Sequence, residues 1–332
     1  MTLTAAVAVD VGGTKIRAGS VIDGRLAHVR SVPTPATAGA QAVLDTIAEV
    51  AATVIAETSG SGGADSAWRI GVGAAGVIDP ATGVVVSATD SLTGWAGTDL
   101  VSELSARTGL HVRAVNDVHA HALGESFAGA SRGTRSSLLV AAGTGIGGGF
   151  IADGRLLTGR NSAAGHIGHV PSAAAAGLDC PCGGTGHVEA IASGPAILAT
   201  YQRLIGRDDS PTSAPAPESN PAPVPANTRE LAAAASAGDP LAVRSFDMGA
   251  RALGSALGGI ANILSPEVIV IGGGLAEMDE TWWTPLRAAF AAELIPATAG
   301  APLVKAELGQ DAALIGAASL WDDEPGRKKE TH

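Results

Sequence analysis

The chain opens on a short run of β-branched and alanine residues, Ala5 to Val9, that enters Asp10-Val-Gly-Gly-Thr-Lys15. The apolar pattern resumes at Ile16–Ile22 and stops at Asp23-Gly24-Arg25-Leu26. Apolar run, glycine turn, second run and Asp-Gly turn together predict a β-hairpin. The pattern returns 130 residues further on. Gly13, Thr14, Ile16, Gly19, Asp23, Gly24, Arg25 and Leu26 fall on Gly143, Thr144, Ile146, Gly149, Asp153, Gly154, Arg155 and Leu156, eight identities over 14 positions. Such a register indicates an internal duplication, with each copy opening on strand, glycine loop and strand. Between the copies the periodicity predicts helices over Ala40–Glu57 and Asp99–Thr108, and strands over Ile70–Ala75 and Val112–Val115. A loop-rich stretch, 158–189, follows the second copy. Helices are then predicted over Pro195–Ile205, Arg229–Ala237 and Pro240–Leu264, and a buried strand, Val268–Ile271, runs into Gly272-Gly273-Gly274. Strands alternating with helices in two similar halves imply an α/β fold.

Composition narrows this picture. With 332 residues, 46% hydrophobic and 16% charged, the chain has material for about two packed domains. Its 21 basic and 32 acidic residues leave a net charge of −11, which argues against a nucleic-acid partner. An anion can still be held by backbone N–H groups and a metal. Cys180 and Cys182, the two cysteines, stand one residue apart, so no disulfide framework is built from them. Neither a basic leader before Asp10 nor an apolar stretch of membrane-spanning length is present, which predicts a cytoplasmic location and no membrane partner. Six of the 18 prolines fall within 211–225. That composition predicts an extended, solvated insertion over 208–228, and the tail 322–332 is charged.

Three glycine turns at strand ends suit a nucleotide site: Gly12-Gly13 beside Asp10, the run Gly143–Gly149, and Gly272–Gly274. Glycine lets the backbone approach a phosphate, and Asp10 is placed to hold Mg²⁺. Neither a P-loop nor a Rossmann fingerprint fits these spacings. Asn116-Asp117 ends a strand. Asp117 reads equally well as a general base for a substrate hydroxyl and as the N-cap of the helix that follows. His169, Cys180, Cys182 and His187 supply two thiolates and two imidazoles within 19 residues of loop, a tetrahedral zinc set.

Taken together, Asp-Val-Gly-Gly-Thr-Lys (10–15), Asn-Asp (116–117), Gly-Thr-Gly-Ile-Gly-Gly-Gly (143–149), Gly-His-Ile-Gly-His (165–169) and Cys-Pro-Cys-Gly-Gly-Thr-Gly-His-Val-Glu-Ala-Ile-Ala-Ser-Gly (180–194) make the chain resemble the ROK family of sugar kinases from about residue 5 to 318. The resemblance implies an actin-like ATPase (ribonuclease H-like) fold, with two duplicated domains around a nucleotide cleft. The first would cover 1–117, completed by a C-terminal helix near 311–321. The second would cover 118–310 and carry the zinc loop 165–189. By the same resemblance, Asp10, Gly12, Gly13, Thr14 and Lys15 meet the ATP phosphates and Mg²⁺. Gly143, Thr144 and Gly145 form a second phosphate loop, and Gly273 and Gly274 flank adenosine. Asp117 becomes the general base, above its capping alternative. Ser91, Asn116, His166, His169 and Glu189 face the sugar, and His169 also ligates zinc with Cys180, Cys182 and His187.

Departures from the family pattern bear on the substrate. His166 stands where many hexose-phosphorylating members carry Glu, and there the chain resembles bacterial N-acetylmannosamine kinases. A neutral imidazole both donates and accepts, which suits an acetamido group near C2. His187 replaces the family's last zinc cysteine, and Ser91-Leu92 replaces its Asn-Leu. The expectation is ATP-dependent phosphorylation of the 6-hydroxyl of N-acetylmannosamine, with a glucokinase or another hexose or N-acetylhexosamine kinase as the alternative. A non-catalytic sugar-binding regulator fits less well, because Asp10 and Asp117 are both kept. The resemblance is compatible with a homodimer.

Overall fold

The computed structural model describes residues 5–60, 68–89, 91–208 and 224–322. The expected proline-rich insertion and charged tail therefore lie almost wholly outside the described residues. Strands β1 (Ala5–Val11), β2 (Lys15–Ile22) and β3 (Arg25–Pro33) form an antiparallel meander, followed by helix α1 (Ala40–Gly60). Strand β4 (Arg69–Ala74), the short pair β5 (Val77–Ile78) and β6 (Val85–Ser87), helix α2 (Leu100–Thr108), strand β7 (His111–Asn116) and helix α3 (Asp117–Ala128) complete this stretch. β4 lies parallel to β1, and β7 parallel to β4, giving the sheet order β3-β2-β1-β4-β7.

The second copy repeats the plan. Strands β8 (Ser137–Ala142), β9 (Ile146–Ala152) and β10 (Arg155–Leu157) are followed by helices α4 (Glu189–Ala192), α5 (Gly194–Asp208), α6 (Thr228–Ser236) and α7 (Pro240–Leu264). Strand β11 (Val268–Gly272), helix α8 (Glu280–Glu293), strand β12 (Leu303–Lys305) and helix α9 (Ala312–Ser319) close the chain. The order of this sheet, β10-β9-β8-β11-β12, matches the first strand for strand. Both hairpins also turn alike. Asp23-Gly24 has φ of 49° and 75°, and Asp153-Gly154 has φ of 50° and 73°.

Among the described residues the chain forms two compact units, one drawn from Met1–Leu139, Gly149–Gly165 and Ala306–His332, the other from Val140–Gly148 and His166–Lys305. In the first unit, strand alternation sorts the core onto two faces. Val7, Val9 and Val11 join Leu44 and Ile47 of α1 and Leu100 and Leu104 of α2. Ala6 and Ala8 on the opposite face join Ala120 of α3 and Ala313, Leu314 and Ala317 of α9. Small residues on this second face let the elements touch through their backbones. A Cβ on Gly316 of α9 would stand 1.8 Å from the Ala120 carbonyl oxygen, and one on Gly71 of β4 would stand 1.9 Å from that of Ala317. Gly316 and Gly71 thus serve close packing, not turns.

Candidate active site

In the first unit the site is built on the loop between β1 and β2. Gly12 N–H closes onto the Lys15 carbonyl at 3.1 Å, and Thr34 Oγ1 donates to the Gly12 carbonyl at 2.7 Å. The Gly13 and Thr14 N–H groups are left without a protein acceptor among the described residues. Ser91 stands directly on this loop, its Cβ 3.4 Å from where a Gly13 Cβ would lie, and it shares a 3.0 Å hydrogen bond with Thr89. Lys15 Nζ reaches Gln310 Oε1 at 2.9 Å, while Arg17 pairs with Asp311 at 2.7 Å.

Asp10 is the last residue but one of β1, where it neighbours Arg17 on β2 and Gly73 on β4. Gly73 is what brings Asp117 here. Asp117 Cα lies 3.6 Å from the place a Gly73 Cβ would occupy, so α3 starts almost on the sheet. Burial pushes the Asp10 carboxyl above its ordinary pKa; His121, Arg17 and Lys15 oppose that rise and the Asp117 charge adds to it. The Asp10 carboxylate accepts no hydrogen bond among the described residues, and it sits between cationic groups and a second carboxylate. A desolvated oxygen donor with no protein partner fits a hard divalent cation such as Mg²⁺.

The start of α3 decides between the two sequence readings of Asp117. Asn116 is the N-cap, its Oδ1 accepting from Val118 N at 2.9 Å and His119 N at 3.2 Å. Asp117 is the first helical residue instead. Its Oδ1 accepts from Asn116 Nδ2 at 2.8 Å and Val118 N at 2.9 Å, which fixes the carboxylate while leaving Oδ2 open. The other Asn116 amide proton goes to the Gly76 carbonyl at 2.8 Å. One turn on, His121 Nδ1 meets the Asp117 carbonyl at 3.0 Å and its charge reaches Asp10. Sequence reading missed His121, although its i+4 spacing from Asp117 places the two on one helix face.

In the second unit Gly143, Thr144 and Gly145 join β8 to β9, with Gly143 N–H on the Gly145 carbonyl at 3.0 Å. Gly273, at φ 85°, follows β11, and a Cβ there would fall 2.3 Å from the Ala142 carbonyl oxygen. Gly274 N lies 3.7 Å from the position of a Gly143 Cβ, so two of the expected glycine turns meet. Glu189, the first residue of α4, accepts the Ile146 N–H through Oε2 at 2.7 Å.

The segment after the second hairpin gathers the remaining residues. His166 caps a 3₁₀ turn, Ile167–His169, and its ring centroid is 6.1 Å from that of His169. Val188 N–H bonds the Val170 carbonyl at 3.0 Å, and Pro171 bridges His187, which draws His169 and His187 together. A turn closed by Gly183 N–H on the Cys180 carbonyl places the cysteines between them. The ligand atoms of His169, Cys180, Cys182 and His187 all lie within 4.8 Å of one another. Cys180 Sγ is 3.7 Å from His169 Nδ1, and Cys182 Sγ is 3.2 Å from His187 Nδ1. A tetrahedral zinc with its usual bond lengths spaces nitrogen and sulfur ligands about 3.3–3.8 Å apart, so these two pairs stand near that spacing and the donor set of two thiols and two imidazoles suits the metal. Burial pushes the Cys180 thiol up, the Cys182 N–H lowers it, and Cys182 and Glu189 raise it further.

Every expected site residue therefore falls into one of two groups. Asp10, Gly12, Gly13, Thr14, Lys15, Ser91, Asn116 and Asp117 belong to the first unit; Gly143, Thr144, Gly145, His166, His169, Cys180, Cys182, His187, Glu189, Gly273 and Gly274 belong to the second.

Comparison with known proteins concerns the chain as a whole. A sequence model of the ROK family matches residues 6–324. A glucokinase of Halalkalibacterium halodurans is 36% identical over 319 residues, covering 95% of this chain and 94% of that protein. An N-acetylmannosamine kinase of Citrobacter koseri is 33% identical over 315 residues, covering 95% and 97%. A ROK glucokinase of Streptomyces griseus, solved with glucose and AMPPNP, superposes with a TM-score of 0.75 at 32% identity, covering 97% of this chain and 100% of that one. Among the described residues no helix is long and apolar enough to cross a membrane.

Proposed function

The chain belongs to the ROK family, as an ATP-dependent sugar kinase of the actin-like fold, and on that premise we propose that its acceptor is the 6-hydroxyl of N-acetylmannosamine. The observation that carries the sugar choice is His166. It stands exposed at the head of the 3₁₀ turn that ends in His169, where its ring can both donate to and accept from an acetamido group. A second reading, glucose, rests on overall identity, which is 36% to a glucokinase and 33% to an N-acetylmannosamine kinase. A coupled ADP-release assay over N-acetylmannosamine, N-acetylglucosamine, glucose, mannose, fructose and allose separates them. Fast turnover of glucose with none of N-acetylmannosamine would refute the first reading and leave the kinase.

In this reading the Gly13 and Thr14 N–H groups, with Lys15, receive ATP phosphates in one unit, and Gly143, Thr144 and Gly145 receive them in the other. Gly273 and Gly274 border the adenosine. Asp10 would hold Mg²⁺, which when bound neutralises phosphate charge. Asp117 Oδ2 takes the proton of the sugar 6-hydroxyl as that oxygen attacks the γ-phosphorus, and Asn116 keeps the carboxylate turned for it. Ser91, His166, His169 and Glu189 supply the sugar's hydrogen bonds. Zinc on His169 Nδ1, Cys180, Cys182 and His187 would leave His169 Nε2 for a sugar hydroxyl, so one imidazole would serve metal and substrate. Elemental analysis is expected to find about one zinc per chain. A folded, active and metal-free protein would reject the zinc assignment.

A further inference from the structure

We infer that Glu189 is also a positioning residue for the nucleotide, holding the second glycine loop in shape; this rests on reading Gly143–Gly145 as a phosphate loop. The contrast with the first hairpin supports it. Each loop closes on its own main chain, Gly12 N–H onto Lys15 and Gly143 N–H onto Gly145, but in the first Ile16 pairs with Val11 in the ladder and among the described residues no carboxylate takes its N–H. In the second hairpin the Ile146 N–H, at the start of β9, is taken by the Glu189 carboxylate 43 residues away. The residue that matches Lys15 is Gly145, and a Cβ there would lie 2.9 Å from Glu189 Oε2. Glycine at 145 leaves the space that the carboxylate occupies.

A hydrogen bond from a backbone N–H to an ionised carboxylate is stronger and shorter than one between neutral groups. Glu189 follows His187 by two residues, so it stands next to the metal-ligating loop in the chain. One side chain therefore links the metal-ligating loop to the turn that would meet phosphate. Its Oε2 is committed to Ile146, and its Oε1 remains for the sugar hydroxyl assigned to it above.

Equilibrium binding of AMPPNP to the zinc-loaded enzyme, with sugar left out, tests this. In Glu189→Gln the amide oxygen still accepts the Ile146 N–H, so AMPPNP affinity should stay within about threefold of wild type. In Glu189→Ala the N–H loses its acceptor, and affinity should fall about tenfold or more. Gly145→Ala should reproduce that loss with Glu189 intact, by pushing the carboxylate aside. Melting temperatures of all three variants separate loop distortion from unfolding. Wild-type AMPPNP affinity in folded Glu189→Ala and Gly145→Ala would overturn the inference. The sugar KM of Glu189→Gln reports separately on the sugar contact. An unchanged value would remove Glu189 from the sugar site while leaving the nucleotide result to stand.

Discussion

The two hairpins share a fold and differ in what they bring to it. Both run strand, glycine loop, strand and Asp-Gly turn, and their sheets have the same strand order. Charge separates them. Asp10, Lys15 and Arg17 of the first correspond to Val140, Gly145 and Gly147 of the second. The first loop thus carries its own carboxylate and cations, while the second consists of backbone and borrows its carboxylate from Glu189. The two copies share the strand order and the turn geometry, and their charged groups are placed differently.

The sharpest way to break the comparison is to remove the base proposed for the first unit. Asp117→Asn should lower kcat by about 10²–10⁴-fold, with AMPPNP binding nearly unchanged; near-normal turnover would end its role. Making Asp10 neutral removes the other asymmetric carboxylate. Asp10→Asn should cost at least about a hundredfold in Mg²⁺-dependent turnover. The same variant should melt higher than wild type at pH 7 without Mg²⁺. The sign follows from burial. The raised pKa means that the folded state holds the Asp10 proton more tightly than the unfolded chain does, so ionisation at neutral pH opposes folding. The difference should vanish below about pH 3, where the unfolded chain's Asp10 is protonated as well.

A smaller effect sharpens the contrast in how the units are held. A chelator should speed hydrogen exchange across 167–188 and leave strand β1 as it was, because the four ligand atoms sit in the second unit alone. The smallest effect tests what the copies share. Asp23→Ala and Asp153→Ala should each cost about 1 kcal/mol in chemical denaturation, because both residues hold positive φ. Unequal costs would show that the two turns no longer do the same job.

Local signals made much of this legible. Asp239-Pro240 starts α7 where the pattern places it, with Asp239 capping Leu241 and Ala242. The hairpins follow from their glycine turns, and the helix expected over Asp99–Thr108 forms with Asp99 as its N-cap, not its first turn. Elements without such punctuation escaped, including the short strands β5, β6 and β12. The Gly272–Gly274 turn points to a helix after it, and α8 follows; its bounds escaped, since Pro285 interrupts its pattern and its Trp282-Trp283 pair is buried by tertiary packing. Long-range pairing was equally silent. Arg17 finds Asp311 across 294 residues, and Glu189 finds Ile146 across 43. Glycine count misled in part, since Gly71 and Gly316 serve backbone contact and not phosphate.

Between residues 158 and 187 the buried apolar side chains are Ile167, Ala175 and Cys180. This stretch carries His166 and His169 and leads into Glu189, and with the proposed zinc in place its order would depend on four ligand atoms more than on a packed core. A segment held in this way tolerates substitution at most of its positions, since little apolar area is lost when one changes. Sugar preference can therefore drift over generations without endangering the fold that grips ATP, and members of one family can come to act on different sugars.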